Sequence, residues 1–240
     1  MTARTQKSLL LTYHRVTDDD AVTGFYDVPV SRFRDHVARV AAQKGDMQIV
    51  FTFDDGTSDH LRAAEILADH GLKGVFFLVW DRLNQPGNLT HADVTRLAEL
   101  DQIVASHTIT HRQLPTLSDA DLATELKDSR EKLEALSGRQ VTWFAPPGGH
   151  YDARSLPAAQ RAGYAYVRTM DWGYAPPLAE AGVGNLLPTV PVLRNMSERR
   201  LEDVLGGRAN FQAFALKQFA RKVLPGTVYT RMRNWTMRTT

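Results

Sequence analysis

The chain has 240 residues, 43% hydrophobic and 23% charged, which is typical of a soluble globular protein and suits one α/β barrel or two smaller domains. Its net charge of +2 is too small to predict nucleic acid as a partner. It contains no cysteine, which excludes disulfides, thiolate catalysis and zinc fingers.

Predicted strands and helices alternate along the chain. Runs of apolar, β-branched and aromatic residues predict strands at residues 8–13, 48–53, 74–79, 102–106, 141–144 and 165–169. Apolar residues at helical spacing predict helices at residues 31–45, 58–70, 91–100, 118–136 and 152–163. Residues 18–29 predict a loop, and Pro188 and Pro191 interrupt a last predicted strand at residues 186–192. This alternation indicates a parallel sheet with helices outside, and the lack of a glycine-rich phosphate-binding loop favours a barrel.

Polar or unusual residues follow the ends of five predicted strands. They are His14, the pair Asp54 and Asp55, the pair His107 and His111, the pair Pro147 and Gly148, and the pair Asp171 and Trp172. In a parallel barrel the carboxyl ends of all strands form one face, and active sites lie at that face. We therefore expect these residues to share one site.

Two of these pairs have the chemistry of a metal site. Burying a carboxylate is costly unless it is paired or bound to a metal, so Asp54 and Asp55 predict a cation. The alternative is a solvated turn in which one Asp caps the next helix. His107 and His111 are four residues apart, so on a helical turn their rings point the same way. Together with one carboxylate they would make a three-ligand site for zinc or a similar divalent ion.

Four segments together resemble the motifs of a known family. Residues 52–56 (TFDDG) and 107–111 (HTITH) resemble the first two motifs of the NodB-homology polysaccharide deacetylases, carbohydrate esterase family 4. Residues 144–149 (FAPPGG) and 168–172 (RTMDW) resemble the third and fourth motifs. The resemblance extends over residues 8–192. It implies that the α/β fold is a distorted (β/α)7 barrel of the NodB-homology type, here with a C-terminal helical extension. It also implies metal-dependent hydrolysis of N-acetyl groups on amino sugars.

The resemblance also implies a role for individual residues. Asp55, His107 and His111 would hold the metal, with zinc favoured and cobalt, nickel or manganese as alternatives, and Asp54 would be the catalytic base. The oxyanion would lie beside the backbone N–H of Gly148, because the two preceding prolines have none to donate. The residues expected to contact the substrate are Pro147, Tyr151, Asp171 and Trp172, with Trp80 as a further candidate for the wall of the acetyl pocket.

One departure from the family pattern affects the environment of the base. The third motif of the family usually has an Arg that orients the base where this chain has Ala145. The fourth motif often begins with an Asp where this chain has Arg168. We therefore predict that Arg168 supplies the missing guanidinium from the neighbouring strand, and an Arg168 that faces solvent is the alternative.

A second departure concerns the general acid. The family usually has a C-terminal histidine that donates the proton, but no histidine follows His150. Some relatives carry that histidine on an N-terminal strand, and His14 fits that arrangement. Histidine is the side chain best suited to act as an acid near neutral pH, so we predict His14 as the general acid, with His150 as the second candidate. The remaining histidines are predicted to lie at the surface: His36, His60, His70 and His91.

The last part of the chain differs in composition. Basic and aromatic residues dominate it, and we divide the chain into a deacetylase-like barrel, residues 1–207, and a basic aromatic helical tail, residues 208–240, within the same domain. The tail could contact a membrane surface peripherally, or it could be a closing helix with a solvated basic face. No apolar run is long enough for a membrane span, and residues 8–12 are too short for a signal-peptide core. We therefore expect a cytoplasmic protein, membrane-associated if the tail binds a bilayer.

These observations predict an amino-sugar N-deacetylase, with two alternatives left open. Its substrate would be an N-acetylated carbohydrate in a polymer, a lipid-linked intermediate or a nucleotide sugar. One alternative keeps the barrel but hydrolyses a formamide or a cyclic imide. The other is a non-catalytic sugar-binding module, which Ala145 and the missing C-terminal histidine favour. Asp54 opposes it, because metal binding alone does not need a free base.

Overall fold

A closed barrel of seven parallel strands forms the centre of the computed structural model, which describes residues 7–212 apart from residues 44, 180 and 182–185. The strands are β1 (Ser8–Tyr13), β2 (Arg15–Thr17), β3 (Asp27–Pro29), β4 (Gln48–Asp55), β5 (Gly74–Leu78), β6 (Ile103–Ser106), β7 (Trp143–Phe144), β8 (Tyr166–Trp172) and β9 (Leu186–Pro191). The helices are α1 (Val30–Ala41), α2 (Asp59–Asp69), α3 (His91–Glu99), α4 (Asp119–Ser137), α5 (Ser155–Arg161) and α6 (Glu198–Leu205). Strand β1 pairs with both β4 and β9, which closes the barrel. The prediction of a (β/α)7 barrel is confirmed.

Alternating side chains along the strands separate two layers of hydrophobic core. Leu10 of β1 lies in one cluster with Phe77 of β5, whereas its neighbours Leu9 and Leu11 lie in the other with Phe33 of α1. The buried members of the first cluster come from strands and loops, so this cluster fills the barrel interior, and the second packs the helices against the outside. Strands buried on both faces explain why the predicted strands are apolar throughout.

Two connecting segments differ from their predictions. The predicted loop at residues 18–29 ends in β3, which pairs with β2 in a small parallel sheet beside the barrel. Pro188 does not interrupt the last strand, because β9 runs through it. A register shift in β8 between Arg168 and Trp172 lies opposite this proline, so the strand pairing does not need the N–H that proline lacks.

Helix α6 was not predicted, because charged residues make up most of it. The Ser197 side chain caps it by accepting a hydrogen bond from the backbone N–H of Arg200, and Leu201, Val204 and Leu205 form its buried face. The predicted helical tail lies outside the described residues after position 212, so the tail and the boundary at residue 207 stay predictions. Within the described ranges, no helix has both the length and the hydropathy needed to cross a bilayer.

Two histidines predicted to lie at the surface, His36 and His60, are fully buried, so that prediction is wrong. Each ring takes the place of an apolar side chain on the inner face of a helix and finds a polar partner there. Nδ1 of His36 lies 2.9 Å from the Tyr13 hydroxyl oxygen, and Nε2 of His60 lies 2.8 Å from the backbone oxygen of His14. Burial lowers the pKa of His36 from 6.5 to about 3, and the positive charges of Arg32 and Arg39 lower it further.

We expect His36 to make the folded protein sensitive to acid. Between pH 6.5 and about 3 the unfolded chain binds a proton at His36 and the folded protein does not, so this part of the stability is complete above pH 6.5 and is lost as the pH falls. The loss should approach about 2 kcal/mol between pH 6.5 and 5. In His36→Asn, which keeps an acceptor for the Tyr13 hydroxyl, the free energy of unfolding should fall less than in the wild type by that amount. The measurement is urea unfolding across this pH range in the presence of a chelator.

The matched control is His70→Asn, because His70 is an exposed histidine. Its unfolding free energy should follow the wild-type pH dependence. Equal pH dependence of the wild type and His36→Asn would contradict the assignment.

Candidate active site

Asp54 and Asp55 are the last two residues of strand β4. The prediction had placed them directly after the strand. Asp54 is buried, and Asp55 is partly exposed at the mouth of the barrel. Asp55 has a φ of 80°, a conformation that residues with a side chain rarely adopt and that is enriched at functional sites.

His107 and His111 lie in a loop after β6, so the predicted helical turn is wrong. Thr108 and His111 have positive φ angles of 72° and 63°, and the Thr108 hydroxyl accepts a hydrogen bond from the backbone N–H of His111 at 3.0 Å. This tight loop still brings the two rings together, with centroids 4.9 Å apart. A carbonyl oxygen only accepts, so Nδ1 of His107 donates to the backbone oxygen of Ala145 at 2.7 Å. The lone pair of His107 therefore lies on Nε2, as in a typical metal-ligating histidine.

Asp55, His107 and His111 form a cluster whose ligand atoms all lie within 4.8 Å of one another. One carboxylate and two imidazoles are ligands that zinc accepts, and three protein ligands leave a position for water or substrate. Burial lowers the pKa of His107 to about 4, although the nearby carboxylates raise it. Burial alone would raise the pKa of Asp55, but its hydrogen bond with His111 and the charges of nearby cations hold it below its ordinary value. At neutral pH these two residues thus have the protonation states that a metal requires, and the cluster fits a divalent ion.

Asp54 lies beside this cluster and is 3% exposed. It forms an ion pair with Nη2 of Arg168, and its Oδ2 lies 3.8 Å from Nε2 of His14. Burial alone would raise the pKa of Asp54, but the charges of Arg168, His107 and His14 outweigh this and lower it. Asp54 is therefore an ionised carboxylate in a water-poor environment.

Arg168 is fully buried, so the alternative of a solvent-facing arginine is wrong. Its guanidinium lies over the ring of Phe77, 4.7 Å from the centroid, inside the barrel. Arg168 thus reaches Asp54 across the barrel from β8, whereas the third-motif position, directly after β7, has Ala145.

His14 lies between β1 and β2 with a side chain that is 20% exposed. Its ring stacks on Tyr26, with centroids 4.3 Å apart. Tyr26 belongs to the segment predicted as a loop, residues 18–29, and was not predicted as a site residue. The only feature of the sequence that could have indicated Tyr26 is the presence of an aromatic residue in a loop rich in Asp and Gly.

Glu125 of α4 is a further residue that was not predicted, and it holds the loop that carries His111. This carboxylate is 3% exposed. Its Oε2 accepts from the backbone N–H groups of Ile109 and Thr110 at 2.8 and 3.0 Å, and its Oε1 accepts from the Thr110 hydroxyl and from Arg112. The feature of the sequence that could have indicated Glu125 is a charged residue at a position on the buried face of α4.

Removing the Glu125 charge should loosen this loop and weaken metal binding at the candidate site. Glu125→Gln replaces one accepting oxygen by an amide NH2, which cannot accept from the donors that face it. We expect the Kd for zinc to rise by about 10–100-fold, the usual effect of losing a residue that orients a metal ligand. The Kd is measured by competition with a chromophoric chelator. Glu131→Gln, an exposed glutamate on the same helix, is the control, and an unchanged Kd in Glu125→Gln would refute the role.

Two of the predicted substrate residues line a cavity, and the others pack elsewhere. The Tyr151 hydroxyl donates to Oδ2 of Asp171 at 2.6 Å, and both residues line a cavity of about 760 Å³ together with Gly149 and His150. Trp172 is partly buried and packs on the hydrophobic core. The further candidate Trp80 lies against two other residues. Its ring centroid is 5.3 Å from that of His91 and 5.3 Å from Nζ of Lys132.

The segment after β7 turns sharply, and its end lines the cavity. Pro147 is buried, whereas Gly148 is exposed and has a φ of 59°. A Cβ at Gly148 would approach Cδ2 of His150 to 3.0 Å. A larger residue would therefore be strained both by this contact and by the positive φ angle. Gly148 is also the first residue after Pro146 and Pro147 that has an N–H to donate.

A seven-stranded parallel barrel with these residues at its strand ends places the chain in the class of NodB-type (β/α)7-barrel proteins. Residues 41–167, more than half of the chain, match the profile of the Polysaccharide deacetylase family. The chain belongs to this family.

Relatives and solved structures agree with this membership. Protein YxkH of Bacillus subtilis strain 168 is 29% identical over 128 residues, which covers 53% of this chain and 46% of that protein. The chitooligosaccharide deacetylase of Rhizobium leguminosarum bv. trifolii is 26% identical over 137 residues, with coverages of 56% and 60%. The structure of the Streptococcus pyogenes deacetylase PplD in complex with acetate shares the fold, with a TM-score of 0.74 at 22% identity over 84% of this chain and 99% of that one. The chain spans about half the length of the relatives that it matches.

Proposed function

We propose that this chain is a metal-dependent hydrolase that removes N-acetyl groups from an amino sugar. The observation that carries the proposal is the position of the buried carboxylate Asp54 beside the cluster of Asp55, His107 and His111. A metal-binding role alone would not require this second carboxylate or the buried Arg168 that keeps it ionised. Family membership supports deacetylation of a carbohydrate, as the names of several relatives describe.

Asp55, His107 and His111 are the proposed ligands, with zinc as the favoured ion. When bound, a divalent ion polarises the acetyl carbonyl and lowers the pKa of water. Asp54 then accepts the proton of the attacking water, and Arg168 fixes the orientation of this carboxylate. The N–H of Gly148 donates to the oxyanion that forms on the carbonyl.

His14 is the proposed proton donor to the departing nitrogen. The stacked Tyr26 limits rotation of its ring, and the 20% exposure of the side chain lets a substrate reach it. The arrangement belongs to the type in which the general acid comes from the N-terminal strand. Tyr151 and Asp171 would contact the sugar in the adjoining cavity, with Pro147 and Trp172 in supporting positions.

The wider setting stays a prediction. We propose an N-acetylated carbohydrate as the partner rather than nucleic acid, a cytoplasmic location, and peripheral membrane contact through residues 208–240. The substrate could be polymeric, lipid-linked or nucleotide-linked.

The test is release of free amine and acetate from N-acetylglucosamine oligomers by the purified chain. Activity should disappear with a chelator and return with zinc, and Asp54→Ala should be inactive. Formamide and cyclic-imide substrates are assayed in parallel, and turnover of these alone would favour the alternative hydrolase. Binding of zinc and oligosaccharide without turnover of any substrate would favour the sugar-binding module.

A further inference from the structure

Arg82 contacts two of the three proposed metal ligands. It ends the short helical turn Trp80–Arg82 that follows β5. Its Nη1 donates to Oδ1 of Asp55 at 2.7 Å, and its Nη2 lies 3.2 Å from Nδ1 of His111. A single guanidinium therefore bridges the carboxylate and the imidazole on which the cluster depends.

The chemistry of the two groups fixes the direction of the second hydrogen bond. A guanidinium only donates, so Nδ1 of His111 must accept with its lone pair. In the neutral ring the hydrogen then lies on Nε2, which is 3.2 Å from Oδ1 of Asp55. Both nitrogens of His111 are thus engaged by Arg82 and Asp55.

A metal ligand has to offer a lone pair, and this arrangement leaves His111 none to offer. Coordination through Nδ1 would displace Nη2 of Arg82 directly. Coordination through Nε2 would move the hydrogen to Nδ1, which could then no longer accept from Arg82. The hydrogen bond between Arg82 and His111 is lost in either case.

His107 shows the opposite arrangement within the same cluster. Its Nδ1 donates to the backbone oxygen of Ala145, which is the contact that ordinarily supports a ligating histidine. His111 faces a cation where His107 faces an acceptor. The Arg82 side chain is 39% exposed, so it can withdraw toward solvent without opening the core.

We infer that Arg82 competes with the divalent ion for Asp55 and His111, and that it thereby weakens the affinity of the site. This inference rests on the metal assignment in the proposed function. It makes Arg82 a positioning residue that holds the ligands together when no ion is bound and withdraws from His111 when one binds.

The test is the affinity for zinc of Arg82→Ala, measured by competition with a chromophoric chelator at fixed pH. Removing the competitor should lower the Kd by about tenfold or more, the equivalent of one charge-assisted hydrogen bond. Arg82→Lys keeps the charge but cannot bridge both ligands, so its Kd should lie between those of the wild type and Arg82→Ala. Arg96→Ala, which removes an exposed arginine from its ion pair with Glu99 on α3, should bind zinc as the wild type does.

Thermal unfolding gives a second reading without turnover. Metal-free Arg82→Ala should melt below the metal-free wild type, because Asp55 and His111 lose their shared donor, and added zinc should raise its melting temperature by more than it raises that of the wild type. An unchanged or higher Kd in Arg82→Ala, with zinc still binding to the wild type, would overturn the inference and leave the proposed function standing. Failure of the wild type itself to bind zinc would overturn both.

Discussion

Replacing Asp54 by asparagine is expected to reduce kcat by about 10²–10⁴-fold, the range for loss of a positioned general base. Asparagine has the same shape as the carboxylate and keeps one oxygen to accept from Arg168, but its amide cannot take a proton from water. Because Asp54 is not one of the three proposed ligand residues, the Kd for zinc should change far less than kcat.

The measurement is the steady-state rate of amine release, paired with the zinc affinity and the unfolding free energy of the same preparation. Asp27→Asn is the matched control, because Asp27 is another buried carboxylate, and it accepts from the backbone N–H groups of Thr23 and Gly24. It should lose stability and keep kcat once folded. An Asp54→Asn enzyme with normal zinc binding and near-normal kcat would show that another group is the base.

The lowered pKa of Asp54 explains why this residue suits the role in a buried position. A buried carboxylate without partners would hold its proton, but Arg168 and the neighbouring imidazoles outweigh the effect of burial. Asp54 is thus already ionised at neutral pH, before any substrate arrives.

The sequence predicted the site because its strongest constraints are local. A buried strand that ends in two carboxylates requires a cationic partner, and two histidines after the end of one other strand offer candidate metal ligands. The parallel barrel then brings these ends to one face, whatever the details of the loops. This is why the cluster of Asp55, His107 and His111 could be predicted although the conformation of its loop could not.

The remaining errors concern contacts between distant parts of the chain. The spacing of His107 and His111 is compatible with a helical turn, and the loop that forms instead depends on Glu125, many residues further along. Burial of His36 likewise depends on the Tyr13 hydroxyl on another element. Periodicity reports which face of an element is apolar, but it cannot report which polar side chain finds a buried partner.

Arg168 shows how a departure from the family pattern leads to a specific prediction. The family places an arginine near the base from the third motif, and this chain has Ala145 there. A buried carboxylate still needs a counter-charge, so an unexpected arginine on the next strand is the obvious source. The ion pair between Arg168 and Asp54 agrees with that reasoning, whereas its role in turnover stays a prediction.

Replacing Arg168 by methionine is expected to lower the free energy of unfolding by about 3–5 kcal/mol, because it leaves the charge of Asp54 buried without its partner. Methionine keeps much of the volume over the Phe77 ring, so lost packing should contribute little. The exposed arginine Arg96 provides the control: Arg96→Met should cost less than about 1 kcal/mol. Urea unfolding at neutral pH measures both.

The sharper prediction concerns the double variant. If the cost of Arg168→Met comes from an uncompensated charge, then adding Asp54→Asn should restore stability, because it removes that charge. The double variant should therefore be more stable than Arg168→Met alone, although it remains inactive. If instead Arg168 acts only by filling space, the two substitutions should destabilise additively. A stability cycle over the four proteins decides between these outcomes without any measurement of turnover, so it tests the electrostatic role of Arg168 separately from the proposed reaction.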